Sequence, residues 1–209
     1  MADTGATSPG TMADDDTVGT VAWDTPNNAK VSDNNYTISY HNHGTSMDNI
    51  VKIIKADGSL GSENKAINRE WGLKSYISYG GASDVWGESW TAEDINDADF
   101  GVVLSVTDFY SNFVTHYLKA TNFGFSIPTG VTINGILVEI EKEAQYYGMG
   151  DACASVDHIR ITVYYTEGAS VINPKLKQSG TFATATIKTK ISGTFVEKPQ
   201  KVKVGGAFV

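Results

Sequence analysis

Hydrophobic and polar residues alternate with a period of two along much of this 209-residue chain. The clearest stretch is 156–166, where Ile159, Ile161, Val163 and Tyr165 share one parity and Arg160, Thr162, Tyr164 and Thr166 the other. Successive side chains of a strand point to opposite faces, so this pattern predicts a strand with one buried and one wet face. Comparable runs at 20–23, 36–40, 50–55, 100–106, 115–125 and 131–143 are separated by turn-forming Gly, Asn, Asp and Pro. One helical turn is expected near 91–97, because Thr91 followed three residues later by Asp94 has capping-box spacing ahead of Ile95. Several short strands across 19–168 predict an all-β domain, a jelly-roll-like antiparallel β-sandwich.

Composition supports that class. Hydrophobic residues at 41% and aromatics at 11% can fill a core, and 21 Gly against 5 Pro suits tight turns between strands, so a wholly disordered chain is excluded. The single cysteine, Cys153, cannot close an intrachain disulfide and lacks the neighbours of a zinc site, which leaves packing or assembly to stabilise the fold. The first residues lack the basic and apolar regions of a secretory signal, and no run approaches the roughly 18 apolar residues of a membrane span. Synthesis and assembly in a cytoplasm, with no membrane partner, are expected.

Charge divides the chain. Residues 1–168 hold 23 acidic and 9 basic side chains, whereas 169–209 hold one Glu and seven Lys, within a net charge of −8. The acidic body makes nucleic acid a poor partner, and the basic end has no Arg to clamp phosphates. An acidic neighbour, such as another copy of the chain, suits the basic end better. Residues 1–18, with Asp14, Asp15 and Asp16 in a row, are too polar to fold alone and read as an arm ordered by a neighbouring subunit.

The basic end carries an internal repeat. Lys177-Gln-Ser-Gly-Thr-Phe182, Lys190-Ile-Ser-Gly-Thr-Phe195 and Lys203-Val-Gly-Gly-Ala-Phe208 recur every 13 residues. Lys188 and Lys190 alternate with Ile187 and Ile191, and Lys201 and Lys203 with Val202 and Val204, so each unit reads as a strand with a lysine face. Such a strand cannot bury its apolar side alone. Residues 169–209 are therefore expected to form a C-terminal β-arm that adds to a partner. Its contacts would come from Lys177, Phe182, Lys188, Lys190, Ile191, Phe195, Lys201, Lys203, Val204 and Phe208.

Candidate chemistry is sparse. Trp71, Tyr76, Tyr79, Trp86 and Trp90 crowd into twenty residues with Gly80, Gly81 and Gly87. Aromatic faces on loops there, joined by Asp84, could stack on sugar rings, and Trp71, Tyr79, Asp84, Trp86 and Trp90 form a candidate glycan site. The competing reading is that Trp86 and Trp90 plug the core across a glycine-rich turn. His41 and His43 have a spacing compatible with a transition metal, but no third ligand is identifiable and a polar turn suffices. The acids Glu93, Asp94, Asp97 and Asp99 lack the register of a calcium loop. Glu139, Glu141 and Glu143 share a strand face at a separation glycosidases use, yet three in line read more simply as a wet face. His116 and His158 have no nucleophile-elbow serine to serve. No enzyme, metal or cofactor is expected.

Several blocks resemble a β-domain family of tailed-phage virion proteins: Gly19-Thr-Val-Ala-Trp23, Tyr79-Gly-Gly-Ala-Ser-Asp84-Val-Trp86-Gly87, Phe123-Gly-Phe125-Ser-Ile-Pro128 and Val156-Asp-His-Ile-Arg-Ile-Thr-Val-Tyr-Tyr165-Thr. The Lys-x-Ser-Gly-Thr-Phe repeats are similar to short Gly-Thr-aromatic repeats at the ends of phage virion proteins. The resemblance implies a structural component of a virion, in the head, neck or tail. Its partners would be major capsid or tail proteins and other copies of itself, and, in the fibre alternative, a host surface glycan. In that family the Phe-Gly-Phe-x-Ile-Pro block precedes the Gly-Gly-x-x-Asp-x-Trp-Gly block, the reverse of the order here, so the fold transfers better than any surface site.

Overall fold

A computed structural model describes residues 1–42, 45–108, 113–147 and 151–168, and beyond them the strand segments 186–191, 194–199, 203–204 and 207–208. The chain divides into two compact units, Met1–Glu167 and Gly168–Val209.

The first unit is an antiparallel β-sandwich. One sheet contains β1 (Ala2–Asp3), β3 (Thr37–Asn42), β5 (Ser75–Gly80), β8 (Thr132–Tyr147) and β9 (Asp151–Thr166), in the order β1–β9–β8–β5, with β3 also paired to β9. The other contains β2 (Thr11–Asp15), β4 (Met47–Ile54), β6 (Gly101–Thr107) and β7 (Tyr117–Thr121), in the order β2–β7–β6–β4. Inward residues of both sheets, among them Ile136, Val138, Ile140, Ile159, Ile161, Val51, Ile53 and Leu104, are buried together. Alternation of this kind holds two sheets face to face, since one face of each strand must leave water.

The run at 156–166 behaves as its pattern predicts on the inner side: Ile159, Ile161 and Val163 have no exposed surface. Helix α1 (Ala92–Asn96) starts at the expected capping box, in which the Thr91 hydroxyl accepts from the Asp94 N–H and the Asp94 carboxylate accepts from the Thr91 N–H. Other expectations are corrected. Residues 20–23 form no strand: Val21 makes an isolated bridge with Thr115, and the Trp23 N–H donates to the Asp14 carboxylate of β2. β5 was hidden in the aromatic, glycine-rich stretch.

The N-terminal segment is also corrected. β1 pairs with Tyr164 and Tyr165 of β9, Thr7 bridges Ile161, and β2 pairs along the whole of β7. The segment thus adds an edge strand to each sheet of its own sandwich, and no neighbouring subunit is needed to order it. Its polar backbone finds ladder partners in cis, which is what a polar segment without a core of its own requires.

Register shifts, of which one lies at Ile133/Gly135 of β8, change which side chains face inward, and two of them place buried carboxylates. In β4 the register with β6 shifts between Asp48 and Ile50, so Asp48 and Val51 both point into the core although three positions separate them. In β9 the register with β8 shifts so that His158 opposes Glu141 and Val156 opposes Lys142, leaving Asp157 as the extra residue. A bulge inserts one unpaired residue and flips the parity beyond it.

In the second unit, β10 (Thr186–Ile191) pairs with β11 (Thr194–Pro199), and β12 (Lys203–Val204) with β13 (Ala207–Phe208). The repeats lie across these junctions: Lys190 stands opposite Phe195 and Lys203 opposite Phe208. Each of these two repeats therefore joins two antiparallel strands instead of forming one, as their Ser-Gly and Gly-Gly centres suit. Lys177, Phe182 and Lys201 fall outside the described residues.

Candidate functional site

The most unusual chemistry in the first unit lies between the sheets. Lys142 follows Ile136, Val138 and Ile140 on the inward parity of β8, and its side chain is only 3% exposed. It forms an ion pair with Asp48 of β4, whose side chain is 1% exposed. The bulge at residues 48–50 is what turns Asp48 towards it.

Both Asp48 oxygens are fully engaged. Oδ1 accepts from Lys142 Nζ and from the Trp71 indole N–H at 2.8 Å. Oδ2 accepts from the Tyr79 hydroxyl at 2.8 Å and from the Ile67 backbone N–H at 3.0 Å. Lys142 Nζ also lies 2.5 Å from the Tyr79 hydroxyl, 4.3 Å from the centre of the Trp71 ring and 5.3 Å from that of Tyr79. Burial, opposed by the Asp48 charge, pulls the Lys142 ammonium down to about 8, because the charged form loses its water. Burial and the adjacent carboxylate push the Tyr79 phenol far up, so it stays protonated and donates.

A cleft of about 260 Å³ opens above this cluster, with Asp48, Trp71 and Lys142 in its wall and the exposed side chains of Ile67, Arg69 and Leu73 around it. A buried charge pair joined to solvent by a cleft is a place where protons, water or a small ligand can reach otherwise enclosed groups.

A second polar network lies on the outer face of the β5–β8–β9 sheet. Glu139 takes a bidentate contact from Arg160, at 2.9 and 3.1 Å, and the Arg160 guanidinium lies 4.0 Å above the Tyr76 ring. The bulged Asp157 is fully buried and pairs with Lys74, which also reaches Glu141 at 3.8 Å and Asn34 Oδ1 at 2.8 Å. Lys74 thus sits between two carboxylates, each keeping one buried oxygen without a hydrogen-bond partner, Asp157 Oδ1 and Glu141 Oε2. These partners raise the Lys74 ammonium, Asp157 foremost. His158 holds Ser8 Oγ at Nε2 and the Tyr76 hydroxyl at Nδ1, both at 2.8 Å. Of the three glutamates read from sequence as a solvated row, Glu139 and Glu141 are engaged by Arg160 and Lys74 in a network of alternating charges.

Three of the five glycan candidates are placed inside, while Asp84 and Trp90 are part-buried. Trp71 is 6%, Tyr79 3% and Trp86 1% exposed, so their rings offer no open stacking face. Trp86 donates its indole N–H to the Ile136 carbonyl at 2.9 Å, and Trp90 donates to the Val85 carbonyl at 2.9 Å while packing edge-on against Phe100. Asp84 accepts from the Trp86 N–H and pairs with Lys65 at 2.8 Å. The block at 79–90 is an anchored turn, the packing alternative of the sequence reading.

The remaining sequence candidates are dispersed. His41 is buried, stacks on Phe113 at 4.3 Å and meets Ser46 Oγ at 3.1 Å, while His43 lies outside the described residues. Among the described residues no group of three His, Cys, Asp or Glu side chains is arranged to hold a metal ion. Asp94 and Asp97 engage local backbone N–H groups. His116 binds Asp14 at 2.8 Å, tying β2 to the segment leading into β7.

Sequence reasoning missed the Asp48–Lys142 pair. A signal existed: Lys142 continues the inward parity of Ile136, Val138 and Ile140, so a lysine was due to enter the core and needed a buried anion. Finding the anion required the fold, since Asp48 is 94 residues away and depends on a bulge. No protein-family model, no curated protein and no solved structure matches the chain.

Proposed function

We propose that the chain is a non-enzymatic structural component of a tailed-phage virion, a capsid-decoration or head-fibre protein or a neck or tail component. Its sandwich, of jelly-roll type, serves as the body, and its C-terminal segment joins it to major capsid or tail proteins and to further copies of itself. It assembles in the host cytoplasm and resides in the particle.

The observation that supports this reading is the repeat. The same Lys-to-Phe pairing recurs at Lys190–Phe195 and Lys203–Phe208, in a basic unit compact apart from an acidic body with its own core. Repeated short antiparallel pairs bury little apolar surface by themselves, so a larger surface must complete them. Opposite net charges on the two units favour contact between copies. The N-terminal segment is engaged by its own sheets, and the assembly role falls to the C-terminal segment.

The test is light-scattering mass after size exclusion for the full-length protein and for a chain ending at Glu167, each at low and high salt. The full-length protein should exceed monomer mass at low salt and lose mass as salt rises, while the shorter chain stays monomeric. Equal masses at both salts, with unchanged entry of the shorter chain into particles, would overturn the reading.

A further inference from the structure

We propose that Lys142 and Asp48 condense into an intramolecular amide cross-link that joins the two sheets of the sandwich. The inference is independent of the virion reading, because it rests on the interior of the first unit alone.

Position comes first. The two side chains arrive from opposite sheets, on β8 and β4, and meet with 3% and 1% of their surfaces exposed. Enclosed apposition of this kind replaces a bimolecular encounter, and well-oriented intramolecular pairs reach effective concentrations of about 10⁵ M and above. The rings of Trp71 and Tyr79 flank Nζ and fix it against the carboxyl group.

The acyl group is set up to react. Attack on Asp48 Cγ drives negative charge onto one oxygen, and Oδ2 already holds two donors, the Tyr79 hydroxyl and the Ile67 N–H. Donors held in place at an oxygen that gains charge stabilise the tetrahedral state without reorganising. Oδ1 lies on the other side, against Lys142 and the Trp71 indole N–H, and is the oxygen that leaves.

The step balances within the pair. The Nζ–Cγ bond forms and the Cγ–Oδ1 bond breaks. The ammonium loses two protons, and both depart with Oδ1 as one water molecule. Oδ2 becomes the amide carbonyl and keeps its two donors, and the remaining N–H lies beside the Tyr79 oxygen. No oxidant, reductant or cosubstrate enters. Burial makes the neutral amine accessible near neutral pH, since it holds the Lys142 ammonium at about 8.

The driving force is the removal of two enclosed charges. An ion pair between the sheets carries a desolvation penalty that its mutual attraction only partly offsets, and a neutral amide carries none of it. The adjoining cleft gives the released water a way out.

Lys74 and Asp157 form the internal control. Their pair is also close, but Lys74 is 23% exposed, interacts with Glu141 and Asn34 as well, and has its ammonium stabilised by those partners. It stays an ion pair.

The experiment is the intact mass of the full-length protein, unfolded before measurement, followed by peptide mapping. The expected mass lies below the sequence mass by one water, and the map contains one branched peptide joining the segments around residues 48 and 142. The Lys74 and Asp157 peptides stay linear. Lys142→Arg should restore the full sequence mass. Asp48→Asn should retain the cross-link with loss of ammonia in place of water, giving the same branched product. A wild-type protein whose Lys142 and Asp48 both appear in linear, unmodified peptides overturns the proposal, and since that readout uses the native chain, poor folding of a variant does not affect it.

Discussion

His158 and Ser8, 150 positions apart in the chain, stand 2.8 Å apart, ring Nε2 to hydroxyl. The contact fastens the N-terminal segment onto the outer face of the sheet to which β1 also belongs. On the other side of the ring, Nδ1 faces the Tyr76 hydroxyl. Desolvation and the nearby Arg160 charge lower the imidazole below its ordinary value of 6.5, against the opposing pull of Glu141, Asp157 and Glu139. The neutral ring is therefore the folded form.

A pH dependence follows from that sign. The unfolded chain binds a proton on His158 at a higher pH than the folded chain does, so folding stability falls as protons are added. The contribution is complete above the ordinary imidazole value and is lost as pH drops through the lowered folded value. Melting temperature should fall between about pH 7 and 5, and His158→Ala should flatten that part of the profile. An unchanged slope in the variant would remove His158 from the account.

The N-terminal segment should behave as part of the body. Asp14 accepts from the Trp23 N–H at 2.9 Å through one oxygen and meets His116 at 2.8 Å through the other, so a single carboxylate joins β2, the Trp23 core plug and the approach to β7. Trp23 is 3% exposed and donates to the His116 carbonyl. Asp14→Ala should destabilise the fold by about 1–3 kcal/mol, the range for orphaning a partly buried donor. Chemical denaturation of the chain ending at Glu167 gives this number directly. A loss of assembly with no loss of stability would contradict it.

Trp86 closes one side of the core under an awkward backbone. Its φ is +58°, a region that bulky residues seldom occupy, and the indole contact to the Ile136 carbonyl holds it there. Gly80, at φ +74°, makes room: a Cβ there would lie 2.3 Å from the same carbonyl oxygen and 2.5 Å from the indole nitrogen. Trp86→Ala should cost about 3–5 kcal/mol in denaturant unfolding, as for other buried aromatics. Gly80→Ala should cost about 1–3 kcal/mol from backbone strain alone, with the clash added. Binding of a glycan lost on Trp86→Ala in a variant of wild-type stability would revive the lectin reading.

These positions mark how far the sequence could be read. Alternation in 131–143 and 156–166 located the two long strands and their core faces, because burial on one side leaves a period-two record. The capping box at Thr91 was legible for a similar reason, being a purely local hydrogen-bond exchange. β5 was not read: Tyr76 and Ser78 alternate with Ile77 and Tyr79 as a strand requires, but the surrounding glycines and tryptophans suggested a glycine-rich turn or loop, with the rings either plugging the core or stacking on sugars. The outer network was also out of reach, since Asp157 owes its place to a bulge and Ser8 to a strand pairing made across the whole unit. Parity along one strand is a local property, whereas a shift of parity is set by the partner strand.

The C-terminal unit yields the last prediction. Its seven lysines and single glutamate lie within 41 residues, against an acidic remainder, and the described strands place Lys190 and Lys203 at matching positions opposite phenylalanines. If complementary charge guides docking, reversing the charge of Lys188, Lys190, Lys201 and Lys203 to Glu should weaken association by about tenfold or more at low salt. The Debye length shrinks from roughly 30 Å at 0.01 M to 10 Å at 0.1 M salt, so the gap between wild type and variant should narrow as salt is added. Replacing Phe195 and Phe208 with Ser should act differently, lowering association at every salt concentration, because apolar burial is not screened. Sedimentation velocity of full-length variants across a salt series separates the two terms. The thermal transition of the first unit should stay put in all of them, since its core is complete within Met1–Glu167. A charge reversal that leaves association unchanged at low salt would show that the lysines keep the strands soluble and that the phenylalanines alone direct the docking.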